Sequence, residues 1–71
     1  MATQVTVPMV GKIVAVNVKA GDQVKENDQV ATLEAMKMEM PVVAPVSGTV
    51  KEVNVKPGDE VTSDTILMVI E

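Results

Sequence analysis

Apolar and polar residues alternate along the chain over short stretches that end at Gly, Pro or Asp, which is the pattern of β-strands. In the first half, the alternation predicts strands over Thr3 to Val7, Lys12 to Lys19, Asp22 to Val24 and Gln29 to Leu33. Similar stretches follow in the second half. No run keeps a heptad period, and Val dominates the apolar set, which argues against a coiled coil or helical bundle. The pattern therefore predicts an all-β fold of about eight short strands.

The second half of the chain repeats the first. Residues 1–34 align with residues 38–71 without a gap at an offset of 37. The identities cluster, and they include Val5 with Val42, Pro8 with Pro45, Gly11 with Gly48, and 16–19 with 53–56. Packing two half-sheets on each other buries both apolar faces. We therefore expect residues 1–71 to form a single domain, a flattened β-barrel or sandwich of two four-stranded antiparallel sheets with pseudo-twofold symmetry.

The turns of the two halves follow one rule. Lys56-Pro57-Gly58-Asp59 is typical of a type II turn, because Pro sets φ at the first central position and Gly accepts a positive φ at the second. Gly21 keeps the essential glycine in the first half. Asp22 and Asp59 are interpreted as turn residues that accept hydrogen bonds. None of these residues is expected to take part in chemistry.

Three residues, Ala35-Met36-Lys37, link the halves and belong to neither copy. The alternation on both sides of them predicts a hairpin with Lys37 at its tip. If a twofold relates the halves, the equivalent of this link is the gap between the chain ends, so the ends should lie together and Lys37 opposite them. The turn contains no Gly, Asn or Asp, the residues that usually accept its geometry. Such a departure from turn chemistry indicates a functional site.

Composition excludes several classes of function. The chain has no Cys and no His, so it lacks thiolate nucleophiles, Ser-His pairs and the usual nitrogen and sulfur ligands of zinc. A formal net charge of −4 and the absence of Phe, Tyr and Trp argue against nucleic acid as a partner. No stretch resembles a signal peptide or reaches the roughly 20 apolar residues of a membrane span. We expect a cytoplasmic protein that is not inserted in a membrane.

The run Glu34-Ala35-Met36-Lys37-Met38-Glu39 resembles the biotinylation motif of biotin carboxyl carrier proteins and of the biotinyl domains of biotin-dependent carboxylases, decarboxylases and transcarboxylases. The similarity covers nearly the whole chain, including the run 44–50 and Gly58-Asp59. This resemblance implies a flattened barrel with the lysine on a β-turn. Some bacterial carrier subunits insert a protruding "thumb" in the first half. The gap-free repeat predicts the thumbless form here.

The resemblance implies that a biotin-protein ligase attaches biotin to Lys37 through an amide, which would lower the formal charge from −4 to −5. It implies that the ligase reads Met36 and Met38. The motif context consists of Ala35, Glu34 and Glu39, of which the two acids either add solubility or help to exclude a wrong ligase. The biotin would shuttle a carboxyl group between a biotin carboxylase and a carboxyltransferase or decarboxylase subunit. The chain itself would be a carrier rather than an enzyme, and the isolated domain a monomer.

Two alternatives share the fold. A lipoyl carrier has the same barrel and tip lysine, but it typically carries Asp-Lys-Ala where this chain has Met36-Lys37-Met38. A biotinyl/lipoyl-like structural domain keeps the hairpin without an acceptor lysine in this motif. The acceptor of the carboxyl group depends on the carboxyltransferase partner, so acetyl-CoA, propionyl-CoA, pyruvate and decarboxylase substrates all stay open.

Overall fold

The computed structural model describes residues 2–71 and contains only β-strands and their connections. The strands are β1 (Thr3–Val5), β2 (Gly11–Val16), β3 (Gln23–Val24), β4 (Gln29–Ala35), β5 (Met38–Val43), β6 (Gly48–Val53), β7 (Glu60–Val61) and β8 (Met68–Ile70). They confirm the all-β prediction and its eight strands. In this part of the chain, no helix has the length and apolar character needed to cross a membrane.

The strands form two four-stranded antiparallel sheets, with the orders β1-β8-β6-β3 and β5-β4-β2-β7. The predicted pair of sheets is therefore confirmed, but the sheets do not correspond to the two halves of the sequence. Each sheet takes two strands from the first half of the chain, residues 3–35, and two from the second half, residues 38–70. This exchange leaves neither half with a complete sheet of its own, so each half needs the other for its backbone hydrogen bonds.

One irregularity occurs at the same place in both sheets. In β2, the register against β4 shifts between Ile13 and Ala15. In β6, the register against β8 shifts at the equivalent place, between Val50 and Glu52. The connections after these two strands, 17–22 and 54–59, have the same length. An inserted thumb is thus absent from the described chain, as the gap-free repeat predicted.

The turn predictions are confirmed at both equivalent positions. Gly21 and Gly58 have φ values of 98° and 97°, and Asp22 N–H donates to the Lys19 carbonyl at 3.0 Å. The Asp22 carboxylate in turn accepts the Lys19 N–H at 3.0 Å. Residues 56–59 repeat both bonds. The turns are held by local hydrogen bonds, and their Asp residues serve that purpose.

Two predicted strands end earlier in the structure. The first strand ends at Val5 rather than Val7, three residues before Pro8, which has no N–H to donate to a sheet. The second ends at Val16 rather than Lys19. Asn17 N–H still donates to the Val30 carbonyl of β4 at 2.9 Å, but Lys19 is bonded to Asp22 and belongs to the turn. In both cases a local backbone constraint overrides the alternating pattern.

The core lies between the two sheets and is entirely aliphatic apart from Met68. Its largest fully buried side chains are Ile13, Leu33, Leu67, Met68, Ile70, Val30, Val50 and Val61. No polar side chain is buried in residues 2–71. The first and last strands pair, with Thr3 opposite Ile70, so the strands nearest the two chain ends adjoin, in agreement with the prediction. The twofold that exchanges the sheets relates these ends to the β4–β5 turn, which therefore lies across the axis from them.

Candidate functional site

Lys37 occupies the second central position of the two-residue turn between β4 and β5. The last pair of the ladder is Ala35 with Met38, and the turn residues Met36 and Lys37 have φ values of 54° and 64°. Positive φ at both central positions defines a type I′ hairpin turn. Such a conformation costs a residue with a side chain about 1–2 kcal/mol relative to its preferred one. The hairpin keeps two side chains at a position where Asn-Gly would fit with less strain.

The side chains at the tip point away from the core. Met36 is 87% exposed and Met38 is 64% exposed, and Lys37 between them is exposed as well. Single exposed apolar side chains are common on protein surfaces, but a group of them marks an interaction site. The tip therefore presents a primary amine between two long, flexible apolar side chains.

The hairpin is anchored by residues just below the turn. Ala35 is 6% exposed and belongs to the core cluster. Gly11 of the neighbouring strand lies against the backbone of β4, where a Cβ atom would be 2.6 Å from the Glu34 carbonyl oxygen. This close approach ties the base of the hairpin to β2. The tip thus extends from a well-packed base. This base holds the backbone from which the Lys37 side chain extends.

A row of charged residues crosses the sheet one step below the turn. Glu39 lies opposite Glu34, Glu34 lies opposite Lys12, and Lys12 lies opposite Glu60. All four are exposed. The two glutamates nearest the turn belong to the motif in the sequence, whereas Lys12 and Glu60 lie outside it. The missing signal was strand order, because β2, β4, β5 and β7 come together only in the folded sheet.

Comparison with known proteins identifies the architecture. The model of the biotin/lipoyl family, described as "Biotin-requiring enzyme", matches residues 3–70. The chain belongs to this family. It is a carrier domain of the kind found in biotin-dependent enzymes, and biotin is its cofactor.

Two curated relatives show similarity over part of the family domain. The Biotin/lipoyl attachment protein of Bacillus subtilis is 52% identical over 40 residues, which are 56% of this chain and 55% of that protein. The gamma subunit of glutaconyl-CoA decarboxylase from Acidaminococcus fermentans is 51% identical over 39 residues, which are 55% of this chain and 27% of that subunit. The aligned part thus spans about half of the first relative and a smaller share of the second.

A solved structure matches the entire fold. The urea carboxylase of Kluyveromyces lactis superposes with a TM-score of 0.91 and 34% sequence identity, over 100% of this chain and 6% of that enzyme. The biotin/lipoyl domain is a small part of that much longer chain. The match confirms the flattened arrangement of two four-stranded sheets.

The residues at the tip fit biotin as a covalently attached group. Biotin has a carboxyl group, and an amine is the group with which a carboxyl forms an amide. Within residues 2–71 there is one ion pair, between Lys51 Nζ and Glu71 Oε2 at 3.4 Å. In this part of the chain, the Lys37 amine therefore forms no ion pair with a carboxylate. The amine is therefore accessible at a position that a second protein can approach from several sides.

Proposed function

We propose that this chain is a biotin carboxyl carrier domain in which biotin is joined by an amide to Nζ of Lys37. The observation that carries the proposal is the type I′ turn, which places Lys37 between exposed Met36 and Met38 in a chain of the biotin-requiring family. When bound, biotin supplies a ring nitrogen that takes up and gives away a carboxyl group. We take residues 1–71 as one such domain, built from the repeats 1–34 and 38–71.

The residues of the chain hold and move this group rather than perform the chemistry. The β4–β5 ladder holds the turn backbone, while the flexible four-carbon stem of Lys37 lets the attached group swing. Amide formation removes the positive charge of the lysine, so its side chain is no longer attracted to carboxylates. A tethered group also reaches two active sites at a higher effective concentration than a free cofactor would. The chain is therefore a carrier and not an enzyme.

The proposed partners follow from this role. A biotin-protein ligase attaches the group, a biotin carboxylase loads it, and a carboxyltransferase or decarboxylase subunit unloads it. Each partner has to release the domain after every visit, which requires small transient interfaces. We place these encounters in the cytoplasm. The two strands that carry the chain ends lie across the twofold from Lys37, so a connection at the ends leaves the tip free for partners.

The experiment that tests the proposal is a pair of ligation reactions read by intact mass. The chain is incubated with biotin, ATP and a biotin-protein ligase, and separately with lipoate, ATP and a lipoate ligase. We expect one biotin per chain and no lipoyl group. Lys37→Ala should abolish the addition, whereas Lys51→Ala, which removes another exposed lysine, should leave it unchanged.

Three outcomes contradict the proposal in different ways. Lipoyl addition without biotin addition makes the chain a lipoyl carrier. Biotin addition that survives Lys37→Ala places the acceptor on another lysine. A chain that neither ligase modifies is the structural form of the fold, which holds no cofactor.

A further inference from the structure

Four large apolar side chains are exposed in the described part of the chain. They are Val10 at 70%, Met36 at 87%, Met38 at 64% and Val43 at 43%. Two of them flank Lys37 in sequence. The most exposed of the others, Val10, lies 27 positions earlier in the chain and was not singled out by sequence reasoning.

The strand register brings Val10 to the tip. Lys12 of β2 pairs with Glu34 of β4, and the strands are antiparallel. Val10 precedes β2 and Met36 follows β4, and continuing this register by two residues on each side places Val10 level with Met36. Gly11, between Val10 and Lys12, is packed against the Glu34 carbonyl, which keeps this end of β2 close to β4. The register thus puts Val10 at the end of β2 that faces the turn.

The repeat provides an internal comparison for this position. The residue equivalent to Val10 in the second copy is Ser47, although Pro8 and Gly11 are matched by Pro45 and Gly48. Ser47 is exposed too, and its Oγ accepts the N–H of Glu26 at 2.9 Å. The chain therefore places a polar residue at this position far from Lys37 and an exposed apolar residue beside it. The Ser47 hydroxyl thus has a structural role, whereas the Val10 side chain has no hydrogen-bonding group and stays exposed.

We propose that Val10, Met36 and Met38 form one apolar docking surface for the biotin-protein ligase and that Val10 is a specificity-determining residue of biotin attachment. This inference rests on the proposed function. An enzyme that acylates Lys37 has to bring its acyl donor to Nζ itself, so it covers the residues level with the turn. Enzymes that act later meet the cofactor at the far end of the extended arm and need not approach as closely.

The charges around this surface specify the chemistry of the ligase. Glu34 and Glu39 border the apolar residues on the sheet, with Lys12 beside Glu34, so these three residues carry a net negative charge. A matching ligase surface has an apolar socket with basic groups at its rim, because complementary charges around an apolar centre orient the partner and exclude wrong ones. Apolar contacts at the centre of such an interface carry most of the affinity. Val10 contributes to that centre from a strand outside the sequence motif.

Val10→Ser tests the proposal, with Val43→Thr as its matched control. Each variant gives an exposed valine the polar residue of the other copy, Ser47 or Thr6. The kcat/KM of biotin attachment is measured with purified ligase. We expect Val10→Ser to lower kcat/KM about tenfold through KM, the effect of losing one buried apolar contact. Val43→Thr should stay within about twofold of the parent, and Val10→Ile should restore the parent KM.

The results separate this inference from the proposed function. If the parent chain gains no biotin at Lys37, the proposed function fails. If the parent is modified but Val10→Ser has the same KM as Val43→Thr, the docking surface is wrong. It is also wrong if Val10→Ser is biotinylated normally and, once loaded, is carboxylated slowly, because the surface then belongs to the carboxylase. Urea unfolding of both variants shows that neither effect comes from a loss of fold.

Discussion

Gly11 and Glu34 approach each other so closely that a Cβ atom on Gly11 would lie 2.6 Å from the Glu34 carbonyl oxygen. Gly48 stands in the same relation to the Glu71 carbonyl, again at 2.6 Å. A separation of this size is far below van der Waals contact, so any side chain at either glycine forces two strands apart. The first contact lies at the base of the Lys37 hairpin, and the second lies beside the chain ends.

Gly11→Ala and Gly48→Ala should destabilise the domain by similar amounts and differ in function. We expect each to lower the free energy of unfolding by about 1–3 kcal/mol, because the new methyl group overlaps backbone atoms. Urea denaturation measures this loss. Gly11→Ala should also slow biotin attachment severalfold, since it displaces the base of the hairpin, whereas Gly48→Ala should not. Equal ligation rates for the two variants would show that the position of β2 does not matter to the site.

Met36→Asn should make the domain more stable and a worse substrate. Asn accepts the positive φ of this turn position more readily than Met, so we expect a gain of about 0.5–1 kcal/mol in the free energy of unfolding. Removing the exposed thioether side chain should at the same time raise the KM of the ligase. Lys37→Gly relieves the next position in the same way and should abolish modification. If Met36→Asn were less stable than the parent, the positive φ of Met36 would not be a source of strain.

Glu39→Lys should stabilise the hairpin through charge. It replaces a like-charged pair of directly opposite residues, Glu34 and Glu39, with an opposite pair. Cross-strand pairs of this kind differ by about 0.2–1 kcal/mol. Thermal unfolding at low salt measures the gain, which should fade in about 1 M NaCl, where exposed charges are screened. Glu39→Gln, which removes the repulsion without adding attraction, should give an intermediate value. A gain that persists at high salt would have another cause.

Asp22→Ala and Asp59→Ala should lower the free energy of unfolding without affecting biotin attachment at Lys37. Each removes the carboxylate that accepts a turn N–H, from Lys19 or Lys56, at 3.0 Å. The expected loss is about 1 kcal/mol per variant in the free energy of unfolding. Asp22→Asn keeps an acceptor oxygen and should lose less. The kcat/KM of biotin attachment should match that of the parent in all three variants. A changed kcat/KM would contradict the purely structural role of these turns.

Much of the fold follows from local sequence. The alternation with period two predicts the strands, and the glycines at 21 and 58 predict turns that the structure holds at φ values of 98° and 97°. The repeat with an offset of 37 predicts the pseudo-twofold symmetry and the adjoining chain ends. The link between the copies marks Lys37 as the tip of a hairpin. These features depend on neighbouring residues, whose backbone preferences and spacing are already present in the unfolded chain.

The tertiary structure decided how the halves combine and what surrounds the tip. The sheets exchange strands between the copies, because β1 finds its partner in β8, at the other end of the chain. The same long-range pairing brings Lys12 beside Glu34 and carries Val10 to the level of Met36. No local pattern contains this information, since side-chain alternation states which face of a strand is buried but not which strand lies next to it. Burial of the shared core determines the strand order. This order places residues from outside the motif around Lys37.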